Sequence, residues 1–172
     1  LTSLQPIMKN FCVITNSRIK IEAIRDRIQL LINRSRIVIP KKIKLEVSYH
    51  YGLENFKKTG LCMLTLYNLD YCKKILLLLP YQSHPTQFHK IKKETFFVFF
   101  GKIEIIINGK KNILNQGEMI TILPKQTHFF KDISGSGSVI EELSTQSFKE
   151  DSYYLDKSIA KNKDRKSFIS IN

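Results

Sequence analysis

The sequence predicts an all-β domain, a barrel or sandwich, with one α-helix in front of it. Beyond Pro40 it is a series of short runs rich in Ile, Leu, Val, Phe and Tyr, each broken by Gly, Pro or Asn. Asn108-Gly109 divides two of these runs and suits a two-residue type I′ hairpin turn, which needs positive φ at both central positions. Upstream of Pro40 the apolar residues instead recur at helical spacing.

The helix is expected over about residues 18–33. Ile21, Ile24, Ile28, Leu31 and Ile32 form an apolar stripe, Lys20, Glu22, Arg25, Asp26 and Gln29 lie between them, and Asn16 or Ser17 is placed to cap it. Ten strands are expected after it. They are Lys44–Tyr49, Leu61–Tyr67, Lys74–Leu79, Gln87–Lys90, Thr95–Phe100, Lys102–Ile107, Lys111–Leu114, Met119–Leu123, His128–Lys131 and Ser138–Leu143. Leu53–Lys58 reads as a short helix stopped at Gly60, and Gly117-Glu118 and Gly135-Ser136-Gly137-Ser138 mark further turns. Residues 157–172, rich in Lys, Ser and Asn, read as a partly ordered polar tail. The expected organisation is therefore a helical segment 1–40, a barrel 41–156 and the tail 157–172.

At 172 residues and 42% hydrophobic, the chain is sized for one domain with a single core. Lys and Arg number 28 against 15 Asp and Glu, a net charge of +13. The basic doublets Lys41-Lys42, Lys57-Lys58, Lys73-Lys74, Lys92-Lys93 and Lys110-Lys111 are scattered and consist of Lys, which argues against a nucleic-acid surface. The abundance of Lys, Ile and Asn fits a coding bias instead. The aliphatic run Ile75–Leu79 and the run Phe96–Phe100 fall far short of the ~20 residues a membrane-spanning helix requires, so no membrane partner is expected. Cys12, Cys62 and Cys72 contain no Cys-x-x-Cys pair, which points to a reducing cytoplasm rather than a disulfide framework or zinc knuckle. No secretory signal is legible, and Leu1 leaves two readings open: residues read through ahead of Met8, or the tail of a longer polypeptide.

Three of the four histidines, His84, His89 and His128, fall in the β-rich part. Gln87 and His89 share one face of a strand by the two-residue period, Glu94 opens the next strand, and His128 opens a later one. Two imidazoles and a carboxylate converging inside a barrel suit a divalent metal ion, Zn, Mn, Fe or Ni, with positions left for water or substrate. His50, between Tyr49 and Tyr51, reads as structural or as part of a dimer contact.

The pattern His84-Pro85-Thr86-Gln87-Phe88-His89, then Glu94 and Gly101, then Gly117, Pro124 and His128, resembles the two characteristic motifs of the cupin superfamily. Its fold is the double-stranded β-helix, or jelly-roll barrel. Glu46-Val47-Ser48-Tyr49-His50-Tyr51-Gly52-Leu53, Asp70-Tyr71-Cys72-Lys73-Lys74, Glu141-Glu142-Leu143-Ser144-Thr145 and Asp151-Ser152-Tyr153-Tyr154 resemble the D-lyxose ketol-isomerase-like cupins. Related domains occur alone or fused to sialic-acid-synthase-type enzymes. The resemblance runs over roughly residues 20 to 160.

Residue by residue, the resemblance implies His89, Glu94 and His128 as metal ligands. Gln87 stands where many cupins carry a histidine, and His84 is the alternative ligand, brought inward if Pro85 breaks the strand. Lys125 stands where a glycine is usual and Leu123 where a proline is usual. The implied activity is aldose–ketose isomerisation of a pentose or hexose, or an accessory step in nonulosonic-acid metabolism, on a sugar or sugar acid. The metal would hold two sugar oxygens while a proton moves between C1 and C2, with Glu142 as the base, or Glu141 if the strand register is shifted by one. Lys92 either holds a substrate oxygen or covers a solvated face, and Asp151, Tyr153, Tyr154 and Asp156 either close the barrel mouth or form a polar turn. A homodimer is implied by the same resemblance. The rival reading is a non-catalytic carbohydrate-binding or regulatory cupin.

Overall fold

The computed structural model describes residues 4–162 and 164–171, with side chains from residue 16 onward. Helix α1 (Leu4–Ser35) leads into strands β1 (Lys44–Ser48), β2 (Leu61–Asn68), β3 (Tyr71–Leu78), β4 (Ser83–Phe88), β5 (Glu94–Phe100) and β6 (Lys102–Ile107). Then come β7 (Lys110–Asn115), β8 (Met119–Ile122), β9 (His128–Asp132), β10 (Ser138–Thr145), β11 (Tyr153–Tyr154), the short helix α2 (Lys157–Lys161) and β12 (Lys166–Ser170). The strands form two antiparallel sheets, one ordered β12-β1-β2-β3-β10-β5-β8 and the other β11-β4-β9-β6-β7.

The aliphatic run of β3 is explained by burial on both faces, the usual cause of a continuous apolar strand. Ile75, Leu77 and Leu79 join Ile24, Ile28, Leu31 and Ile32 of α1 in one core cluster. Leu76 and Leu78 point the other way, into a second cluster with Phe96, Val98, Ile103, Ile105 and Phe130 between the sheets. The helix thus covers the outer face of the larger sheet, while the space between the sheets is left to an apolar floor and a polar cavity. Among the described residues no helix is long and apolar enough to cross a membrane.

All ten expected strands are present, nine with shifted ends and Lys102–Ile107 with the expected ones. The hairpin at Asn108-Gly109 has φ of 48° and 78°, as a type I′ turn demands. The helix begins well before residue 18, so Asn16 and Ser17 lie inside it rather than capping it. No Gly or Pro interrupts residues 7–17, so nothing local stops it there. The expected helix over Leu53–Lys58 is only a one-turn 3-10 helix, Leu53–Asn55.

The larger correction concerns the segment expected as a polar tail. It carries α2, whose Asp156 side chain caps the Ser158 N–H, and β12, which pairs along β1 from Lys44↔Ser170 to Ser48↔Lys166. Ile169 packs against the outer cluster and Ile171 is buried in it, so a few apolar residues at a sheet edge outweigh the Lys-rich composition.

Candidate active site and metal centre

A cavity of about 670 Å³ opens between the sheets, and the inward-facing residues of β1–β5, β9 and β10 line it. Its polar end is built from a strand end, a loop and two strand starts. Gln87, near the end of β4, pairs with His128 at the start of β9. His89 follows β4, and Glu94 opens β5. The register of β4 against β9 shifts between His84 and Gln87, around Pro85, so both side chains are buried although three residues apart.

His89, Glu94 and His128 offer ligand atoms that all lie within 4.8 Å of one another. Glu94 Oε1 is 3.1 Å from His128 Nε2 and 3.7 Å from His89 Nε2. Each imidazole is oriented from behind: His89 Nδ1 lies 2.5 Å from the Asp151 carbonyl oxygen and His128 Nδ1 lies 3.3 Å from that of Gln126. With Nδ1–H donating to a carbonyl, each ring turns an unprotonated Nε2 toward Glu94. Burial holds both imidazoles below their ordinary pKa and therefore neutral near pH 7. Three lone-pair-bearing atoms then face one another, and among the described residues His89 Nε2 and Glu94 Oε1 are buried without a hydrogen-bond partner. Unrelieved, that arrangement is costly, and a divalent cation between the three atoms would satisfy it, so these residues fit a metal.

Gln87 and His84 separate. The Gln87 amide nitrogen is 3.3 Å from His128 Nε2, and rotating the amide would bring its carbonyl oxygen to the same place as a further ligand. His84 instead stacks on Phe130 at 4.9 Å and meets the edge of His50 at 4.7 Å, outside the three-residue group. The turn at Lys125 keeps the left-handed conformation usual for glycine, with φ 70°, and the Lys125 N–H donates to the His89 carbonyl at 2.6 Å.

Glu142 faces the cavity from β10, and Glu141 points outward to Lys73 at 2.7 Å. Lys92 is buried rather than solvated: its Nζ lies 2.5 Å from Glu94 Oε2 and 2.8 Å from Glu142 Oε1. Burial alone would raise the Glu142 pKa, but Lys92 and Lys74 outweigh it and hold the carboxyl well below the usual range. Burial would likewise discharge Lys92, yet Glu142 and Glu94 keep it an ammonium. The site therefore carries an ionised carboxylate beside a fixed cation.

Two participants escaped the sequence reading or were left undecided by it. Lys74, whose Nζ is 3.3 Å from Glu142 Oε1, shares the inward parity of Leu76 and Leu78, which was the available signal. Asp151 is no surface turn: its carboxylate accepts the backbone N–H groups of Lys90 at 2.8 Å, Ile91 at 3.2 Å and Lys92 at 2.9 Å. Tyr154, paired opposite Gln87, accepts or donates a 3.1 Å hydrogen bond with His50 Nε2. His50 is thus buried behind the cavity wall, against Tyr154 and His84.

No protein-family model matches the chain. A D-lyxose/D-mannose isomerase of Thermosediminibacter oceani is 28% identical over 167 residues, covering 80% of this chain and 91% of the relative. A D-lyxose ketol-isomerase of Cohnella laeviribosi is 28% identical over 162 residues, covering 77% and 88%. Among solved structures, an L-ribose isomerase of Cellulomonas parahominis superposes with a TM-score of 0.66 over 83% of this chain and 94% of that one, at 13% identity. At that identity the superposition bears on the fold, which is the double-stranded β-helix the motifs imply.

Proposed function

Starting from a cupin fold and a sequence similar to the D-lyxose isomerases, we propose that the chain is a metal-dependent aldose–ketose isomerase acting on a small sugar. The observation that carries this reading is the convergence of His89, Glu94 and His128 beside the Lys92–Glu142 pair, with His89, Glu94, Lys92 and Glu142 lining one cavity. His89, Glu94 and His128, with Gln87 as fourth donor, would hold the metal. When bound, a divalent ion supplies positive charge to the oxygens at C1 and C2 of an open-chain sugar.

The remaining steps belong to the chain. Glu142, ionised at neutral pH, takes the proton from the carbon beside the carbonyl and returns it to the former carbonyl carbon, while the hydroxyl proton on that neighbouring carbon passes to the former carbonyl oxygen. Lys92 sets the position of that carboxylate and offers an ammonium to the sugar oxygen on which negative charge develops. The apolar floor of Leu61, Leu76 and Phe96 limits water around the moving proton. Pairing of two chains through outer strands belongs to the same reading, as does a reducing compartment, which suits the buried thiols of Cys62 and Cys72.

The test is elemental analysis of untagged protein beside the His89→Ala/His128→Ala double variant, followed by isomerisation assays on D-lyxose and D-mannose. We expect about one metal per chain in the wild type, none in the variant, and ketose formation by the wild type alone. A wild type that holds no metal and gains no thermal stability from added Mn, Fe, Ni or Zn overturns the reading in favour of a non-catalytic sugar-binding cupin.

A further inference from the structure

The cavity is larger than a metal and a bare pentose need, and its lining carries more cations than carboxylates. Five cations line it, Lys74, Lys92, Lys149, Arg165 and Lys166, against three carboxylates, Glu46, Glu94 and Glu142. Lys74 and Lys92 are committed to Glu142 and Glu94, and Lys166 is committed to Glu46 at 2.5 Å, which Ser48 also contacts. Two cations remain. Among the described residues, Arg165 and Lys149 face the cavity without a carboxylate in salt-bridge range.

Arg165 is held in place rather than loose. Its guanidinium carbon lies 5.2 Å from the centroid of the Tyr154 ring, and Tyr154 is itself fixed by His50 and by pairing opposite Gln87. A half-buried guanidinium, stacked on an aromatic face and lacking a counterion, is pre-organised for a planar or tetrahedral oxyanion that it can grip with two parallel N–H bonds. A neutral sugar would leave that charge unmatched.

We infer that the substrate of this cavity is an open-chain sugar carrying a terminal anionic group, a phosphate monoester or a carboxylate, which Arg165 binds while the carbonyl end sits at His89, Glu94 and His128. This rests on the isomerase reading and adds to it a preference for anionic over neutral sugars. Lys149, exposed at the rim, adds attraction that salt weakens, whereas the Arg165 contact, half-buried, is screened less.

The experiment is calorimetric titration of the full chain with D-mannose, D-mannose 6-phosphate and D-mannuronate, repeated with Arg165→Gln, Arg165→Lys and, as a charge-matched control outside the cavity, Lys57→Gln. We expect at least one anionic sugar to bind about tenfold tighter than D-mannose or better. The phosphate and carboxylate arms identify which anion is used. Arg165→Gln should abolish the preference, Arg165→Lys should keep part of it, and Lys57→Gln should keep all of it. Equal affinities for the three sugars, or a preference that survives Arg165→Gln, overturns the inference. Should Arg165→Gln fail to fold, the wild-type comparison of neutral and anionic sugars still decides. Turnover of D-lyxose with no anion preference sinks this inference alone, while an Arg165-dependent preference without turnover of any sugar sinks the isomerase reading alone.

Discussion

The Asp151 carbonyl oxygen lies 2.5 Å from Nδ1 of His89, and the carboxylate of the same residue gathers the three backbone N–H groups that follow His89 from Lys90 to Lys92. One residue thereby sets both the tautomer of an imidazole and the path of the loop that carries it to Glu94. Asp151→Ala leaves three N–H groups without their acceptor and should cost about 1–3 kcal/mol in a urea melt. It should also weaken metal retention about 10–100-fold in a chelator competition, with Asp151→Asn in between. Unchanged metal affinity would show that the loop is held by other means.

Lys92 is the hub of a buried ion network, so its loss and the loss of its partner should not add. Lys92→Met takes from buried Glu94 its only lysine among the described residues, leaves Glu142 with Lys74, and should destabilise the fold by about 3–5 kcal/mol. Adding Glu142→Gln should recover part of that loss. A denaturant-based double-mutant cycle reads the coupling, and strict additivity would rule the network out.

His50 supplies a pH signature. Its pKa is lowered to about 3, by burial first and then by the Arg165 and Lys166 charges. Between about pH 6.5 and pH 3 the unfolded chain therefore binds a proton at His50 that the folded chain refuses. Stability should fall as pH drops through that window, by up to about 1.4 kcal/mol per pH unit for each such histidine. His84, lowered by its burial and by neighbouring histidines, acts in the same sense. Urea midpoints measured against pH should show a shallower acid limb in His50→Gln than in the wild type.

Two glycines with nearly the same backbone angle should respond differently to alanine. Gly101 has φ +86°, and a Cβ there would sit 2.5 Å from the Gly137 carbonyl oxygen. Gly117 has φ +87° with open space around it. Gly117→Ala should cost about 1–2 kcal/mol from conformation alone, while Gly101→Ala adds a backbone clash and should cost clearly more. Equal thermal shifts in the two variants would contradict the close approach.

Local patterns announced most of the barrel. Period-two runs and turn residues between Lys44 and Thr145 need no knowledge of partners, and the Asn108-Gly109 hairpin is decided by the conformations its own residues allow. His89, Glu94 and His128 were legible because they fall where the cupin motifs place their ligands, with Glu94 and His128 each opening a strand. β12 was not, because its evidence is non-local: Ser167 and Ile169 become strand residues only on meeting Val47 and Leu45, more than a hundred positions earlier. Lys92 was undecided for a related reason. A lysine in a run of lysines reads as solvated until two carboxylates from β5 and β10 surround it. The choice between Glu141 and Glu142 likewise awaited the register of β10 against β3, where Glu142 meets Lys74.

The double-sided burial of β3 means that the partition between helix α1 and the cavity is a single strand thick. Ile75 and Leu77 touch the helix side while Lys74 and Leu76 face the cavity, so any displacement of that strand moves both surfaces together. A fluorophore attached to the outer side of α1, at exposed Leu30 for instance, would report on what fills the chamber without ever entering it.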